Sequence, residues 1–171
     1  METVKRYQIA DYVARITDGE ASSYALCGVG YNTLDETFGA QSDSKVYISE
    51  KTASSQVKSY QAQFPFACDL MEDQEAIDMV YDIGRNHKTG ADAQLSYVRV
   101  ELWKPVASKA NTFKARKFVV SVEAANVTGA GGETVAMSGN FNPVGKMPAQ
   151  DGHMLFTHVV AADNRYSEFV H

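Results

Sequence analysis

LSYVRVELWKPVASKANTFKARKFVVSVEA, residues 95–124, decides the fold class. From Leu95 to Lys104 apolar and polar side chains alternate. Val98, Val100 and Leu102 fall on one side of an extended chain, and Tyr97, Arg99, Glu101 and Trp103 on the other. Pro105 to Asn111 breaks the pattern with loop residues. From Phe113 to Ala124 it resumes, with Phe118, Val120 and Val122 expected inward and Lys117, Ser121 and Glu123 outward. Two alternating runs joined by a short polar loop define a β-hairpin.

Beyond this hairpin, Gly129-Ala130-Gly131-Gly132 is a turn, and Glu133–Phe141 reads as a strand carrying Val135, Met137 and Phe141. Asn142-Pro143-Val144-Gly145 turns the chain again, Gly152 to Ala162 supplies a last strand, and the tail is polar apart from Tyr166 and Phe169. Before the hairpin lies the one helix expected, over about 73–86. Ala76, Ile77, Val80, Ile83 and Gly84 make a stripe at helical spacing opposite Glu75, Asp78 and Asp82. Asp73 is the expected cap. Glu72, Asp73 and Glu75 suit the positive end of the helix dipole, Arg85, His87 and Lys88 suit its negative end, and Gly90 closes the segment.

Gln56 to Phe66 alternates again, with Tyr60, Ala62, Phe64 and Phe66 on a buried face and Val57, Ser59, Gln61 and Gln63 on the other. Pro65 marks a sheet edge or bulge. Residues 39–56 are polar and serine-rich except for Val46, Tyr47 and Ile48, which makes them a long loop or hairpin. Ala21 to Thr37 is strand-like, with Tyr24, Leu26 and Tyr31 as core candidates and Gly28 and Gly30 as a bulge. In the first twenty residues Ile9, Tyr12, Val13 and Ile16 have helix-like spacing, but the segment serves equally as an extended arm. The sum is a mainly β single domain over residues 1–171, a β-sandwich or barrel-like fold with one flanking helix. Residues 1–20 and 163–171 are its candidate arms.

Composition narrows the function. The 171 residues are 44% hydrophobic and 22% charged with a net charge of −5, the profile of a globular domain of one core. No apolar run is long enough for a membrane helix, and Tyr7 to Glu20 is too polar for a signal-peptide core. An acidic balance disfavours tight nucleic-acid binding, which needs surplus cations, but not the passage of nucleic acid nearby. Cys27 and Cys68 are expected as free thiols, buried or half-buried, with a single disulfide as the alternative.

Motifs for chemistry are weak. Gly139 to Lys146, GNFNPVGK, has five residues between its glycines where a phosphate loop has four, and Met147 stands where a hydroxyl is needed. Gly28-Val29-Gly30 lacks the third glycine and the helix of a dinucleotide site. His153 and His158 fall on opposite faces of a strand, so a regular strand cannot direct both at one metal. No catalytic residue, cofactor or metal site is expected, and the chain is not expected to be an enzyme. Lys114, Arg116 and Lys117 alternate across a strand, which suits a solvated face or intersubunit ion pairs. Trp103 with Tyr97 on the face away from the core suits either an interface or a second core layer.

The order of these features resembles the major tail tube proteins of tailed bacteriophages. The segments are KVYISEKTASSQVKSYQAQFPF (45–66), DQEAIDMVYDIGRNHKTGADA (73–93), YVRVELWKPV (97–106) and NTFKARKFVVSVE (111–123). The resemblance spans about residues 40–142. It implies a β-sandwich with a flanking helix and a long loop, assembled as hexameric rings stacked into a tube through which double-stranded DNA passes without specific binding. It also implies partners: a tape measure protein, a tail terminator and distal tail or baseplate proteins, within a virion tail assembled in the host cytoplasm. Contractile tails and tail-like bacteriocins carry related proteins.

Under that reading Lys45, Val46, Tyr47, Ile48, Glu50 and Lys51 are the residues that reach a neighbouring subunit. Ser59, Gln61, Gln63, Arg99, Glu101, Lys117 and Glu123 are the candidates for a lumen whose charges nearly cancel, so that phosphates do not stall there. The alternative is a monomeric β-sandwich binding module for carbohydrate or protein, with Trp103 and Tyr97 as its stacking platform.

Overall fold

The computed structural model describes residues 1–108 and 112–145 in full, and the backbone alone of 154–158 and 167–170. In chain order the strands are β1 (Ile9–Thr17), β2 (Glu20–Ala21), β3 (Ala25–Leu26), β4 (Tyr31–Leu34), β5 (Ala40–Lys45), β6 (Ser54–Tyr60) and β7 (Phe64–Asp69). Helix α1 (Glu75–Arg85) follows, then β8 (Gln94–Pro105), β9 (Thr112–Thr128), β10 (Ala136–Pro143), β11 (Met154–His158) and β12 (Ser167–Val170). The fold is mainly β, sandwich or barrel-like, with one helix beside a large antiparallel sheet, as the alternation patterns require.

The sheet runs β2-β1-β8-β9-β10-β7-β4. β9 is long enough to serve three partners. One edge pairs with β8 from Phe113 to Ser121; the other pairs with β11 over Thr112–Ala115 and with β10 from Val120 to Thr128, so that edge changes partner along the strand. The β9–β10 ladder slips at Ser138/Gly139, and a Cβ at Gly139 would meet the Glu123 carbonyl oxygen at 2.0 Å. Only glycine fits that bulge. At the far ends, β3 pairs with β1 and β4 pairs with β7, so residues 25–34 bridge the two extremes of the sheet and close it like a barrel.

Inside lies the larger core. Phe64 packs tilted against Tyr97 at 4.7 Å, Phe66 stacks on Phe141 at 4.7 Å, and Leu95, Phe118, Val120 and Met137 fill around them. Helix α1 covers this core with Ala76, Ile77, Met79, Val80 and Ile83, all buried. A second cluster, with Tyr12, Ala14, Tyr24, Val98, Val100 and Ala115, occupies the opposite face of β1, β8 and β9.

Four expectations are corrected here. Residues 9–17 are neither helix nor arm: β1 pairs with β8 along seven residues and is buried at Asp11–Ala14. Tyr97 does not face away from the core. In the ladder it lies opposite Phe118, and Leu95 opposite Val120, so those four share the main core while Val98 and Val100 face the second. Both faces of β8 are buried, as a central strand between two apolar layers requires. The strand expected over 56–66 is two: β7 is core at Phe64 and Phe66, whereas Tyr60 on β6 is exposed. Asp73 is not the helix cap; it adopts φ 60°, and Gln74 holds the cap position without a side-chain bond. The last expected strand, Gly152 to Ala162, is described only over β11, and the candidate arm 163–171 only over β12; His153 and His171 lie outside the described residues.

Candidate assembly interface

The segment expected as a long loop or hairpin is a hairpin. Among the described residues β5 and β6 pair only with each other, in a two-stranded ribbon separate from the main sheet. Every residue of β6 is exposed, and all of β5 except Asp43, which is half-buried beside Lys58 at 2.7 Å. The ribbon continues the sheet edge. After β4–β7, Asp35 N donates to Pro65 O, Thr37 and Gln63 exchange both backbone bonds, and Gln61 N donates to Gly39 O at 2.9 Å. Gly39 makes the neck, with φ 62° and a Cβ position only 2.0 Å from the Gln61 carbonyl oxygen.

Register sorts the arm into two faces. Ala40 lies opposite Tyr60 and Ser42 opposite Val57, so the two larger apolar groups share a face lined by small residues. Between these pairs the ladder slips, and Lys58 is the extra residue. At the tip Val46 is 60% exposed, Tyr47 61% and Ile48 fully exposed, above a turn in which Glu50 N donates to Tyr47 O. Lys45, Glu50 and Lys51 are exposed around them. All six residues expected to reach a neighbour thus stand together at one end of a projecting ribbon.

At the base of the arm is a hollow of about 420 Å³ bounded by Ile9, Phe38, Trp103, Glu36, Glu101, Arg99 and Arg116. Its floor is an ion-pair cluster. Glu36 accepts two bonds from Arg116, at 2.5 and 2.6 Å, and lies 3.6 Å from Arg99 Nε. Arg99 Nη1 also reaches Asp11 Oδ1 at 3.3 Å. Asp11, whose side chain is fully buried, accepts from the Tyr97 hydroxyl at 2.5 Å and from Arg6 at 2.7 Å. A charge at the centre of a strand buried on both faces must be paired this way.

The titration behaviour follows. The hydrogen bonds that Arg116 donates to Glu36 hold it above its ordinary pKa. Burial acts to lower Arg99, but Tyr97 and Asp11 outweigh it and raise it overall. Burial, with Asp11 beside it, pushes the Tyr97 phenol well up. Arg116 Nε is buried without an acceptor among the described residues.

The expected lumen residues divide. Arg99 is 7% exposed and belongs to the buried cluster, so as a lumen-facing group of this chain it is corrected: its guanidinium is committed to Asp11 and Glu36. Glu101 is half-buried at the hollow and pairs with Lys104 at 2.8 Å. Ser59 is exposed on the arm, and Gln61 and Gln63 are exposed at its neck. Lys117 is half-buried, opposite Val98 in the ladder. Glu123 is exposed and accepts from Asn142 at 3.1 Å.

Sequence reading passed over Asp11 and Glu36, and gave Arg116 to a solvated face or to intersubunit ion pairs. Asp11 between Ala10 and Tyr12, and Arg99 between Val98 and Val100, are charges flanked by apolar residues in a strand, and that was the available signal. Cys27 and Cys68 are free and buried. Burial and then Asp69 push the Cys68 thiol up to about 11, and burial raises Cys27 well above its usual value, so both are protonated at neutral pH. Among the described residues no cluster of metal-ligating side chains occurs, and no helix is long and apolar enough to cross a membrane. No protein-family model matches the chain, and no curated protein is similar to it at a significant level.

Proposed function

We propose that this chain is a structural subunit that assembles with copies of itself into stacked hexameric rings, forming a tube of the kind found in phage tails. The observation that carries the reading is the β5–β6 arm, a ribbon outside the main sheet whose residues are exposed, Asp43 alone being half-buried, among the described residues. A two-stranded ribbon is at best marginally stable alone in water. Six of the large apolar groups that the body leaves exposed, Phe38, Val46, Tyr47, Ile48, Val57 and Tyr60, lie between residues 38 and 60. Such concentration suits a surface that is covered in an assembly. The net charge of −5 suits a wall past which DNA slides without binding. In this reading the partners are the tape measure protein, the tail terminator and the distal tail or baseplate proteins, and the setting is the virion.

Light scattering across a concentration series tests it. Ring or tube masses that grow with concentration are expected, and a monomer at every concentration contradicts it. A second reading, a monomeric binding module, draws on the hollow, where Phe38 is 62% exposed beside Trp103. That module predicts a monomer whose Trp103 fluorescence responds to a saccharide or peptide.

A further inference from the structure

We infer that the hollow at the base of the arm, between Phe38 and Trp103, receives the Val46-Tyr47-Ile48 tip of the arm of a second copy. The inference rests on the assembly reading and adds the receiving surface and its occupant. The first argument is reach. Phe38 lines the hollow and Tyr47 is nine residues further along a ribbon locked by the β5–β6 ladder. At roughly 3.3 Å per residue the tip stands on the order of 30 Å from its own hollow, so it cannot fold back without breaking that ladder.

The second argument is chemistry. The charges of the hollow are already matched: Glu36 is held by Arg116 and Arg99, and Glu101 by Lys104. What remains to offer a partner is the apolar surface of Phe38, Trp103 and Ile9, and an entering apolar side chain leaves no ion without its counter-charge. A hollow of about 420 Å³ takes one large side chain with part of its neighbour.

The third argument is area. With large apolar side chains at roughly 150–200 Å² each when fully buried, the five exposed apolar groups of the arm, Val46, Tyr47, Ile48, Val57 and Tyr60, offer about 500–700 Å² at their present exposure. Matched by an equal area on the partner, the contact buries about 1,000–1,400 Å², at the lower end of stable specific interfaces. Tip and hollow are different surfaces, so a single contact leaves one tip and one hollow free on the pair. Repeated head-to-tail, the contact propagates as a closed ring or an open filament.

Trp103 is the only tryptophan of the chain, so its emission reports on the hollow directly. One full-length copy carries Val46→Ser, Tyr47→Ser and Ile48→Ser and can receive but not donate. The other carries Trp103→Phe, and is dark but keeps its tip. On titrating the dark copy into the bright one, the Trp103 emission should shift to the blue and saturate near equal amounts, while scattering in the same cuvette rises. Association without a spectral shift overturns the hollow as the receiving site and leaves the assembly reading standing. The same shift from a dark copy that lacks its own tip also overturns it. No association in the mixture contradicts the pairing, and if the unsubstituted chain also stays monomeric, the assembly reading falls with it.

Discussion

Asp11 concentrates the energetics of the body in one carboxylate. Its side chain is wholly buried, and Arg6, Tyr97 and Arg99 all donate to it. Replacing it with alanine leaves Arg99 buried without its nearer partner, a loss of about 3–5 kcal/mol for a broken buried ion pair. In a chain of this size that lowers the melting temperature by about 10 °C, measurable by calorimetry. A milder prediction attaches to Asp82, which is paired with Lys88 at 2.6 Å and Arg15 at 3.3 Å and so ties the end of α1 to β1. The Lys88 hydrogen bond, and then Arg15, lower its pKa below the ordinary 3.8. A carboxyl depressed in the folded state stabilises above its unfolded pKa, and that stabilisation disappears as the pH falls through the folded value. The stability difference between the unsubstituted chain and Asp82→Asn should therefore be present at pH 6–7 and be lost progressively as the pH falls below the ordinary 3.8 in acid denaturation curves. Neither role was legible beforehand. Asp11 sits among Ile9, Tyr12 and Val13, whose spacing suggested a helix, and the Asp18-Gly19 pair that would have marked a hairpin went unread. In the structure that pair has φ 54° and 81° and joins β1 to β2, the geometry of a two-residue hairpin turn.

The arm shows how one alternating pattern serves two environments. Tyr60, Phe64 and Phe66 recur at even spacing, and period alone placed all three on one buried face. Phe64 and Phe66 are buried in the core, yet Tyr60 lies beyond the Gly39 neck and is exposed among the described residues. Alternation reports that a strand has two unlike faces; it does not report which protein covers one of them. Helix α1 was legible because its stripe packs on its own chain: the expected 73–86 and the observed Glu75–Arg85 agree within the usual uncertainty of helix ends. The cap was misassigned because the backbone at Asp73 is left-handed, which a capping residue does not adopt. The neck itself is testable. Gly39→Ala forces a Cβ against the Gln61 carbonyl at a positive φ, so the Gln61 and Thr37 bonds must open. Amide hydrogen exchange at Gln61, Gln63 and Thr37 should accelerate by at least about tenfold, corresponding to about 1.4 kcal/mol, while the amides of β8 and β9 keep their protection. Unchanged exchange at the neck would show that the arm is not held through Gly39.

At the scale of the whole molecule the body is self-sufficient and the arm is not. The body closes on its own core through residues 25–34, its terminal edge strands β2, β3 and β4 are two to four residues long, and the long strands are paired. Short edges of that kind discourage indiscriminate pairing and leave the arm as the extended element free to meet a partner. The β class, the hairpin of residues 95–124 and the projecting segment were all carried by patterns within one chain. The hollow between Phe38 and Trp103 was not, because it is built from four separate segments whose proximity only the closed sheet creates. The central claim, self-assembly through the arm, is tested most directly by negative-stain microscopy of the concentrated full chain beside a variant lacking residues 42–54. The account predicts rings or tubes from the full chain and a folded, monomeric, ring-free protein from the deletion, with the circular dichroism of an intact β body. Rings or tubes from the deleted chain, or a full chain that stays monomeric at every concentration, would contradict it.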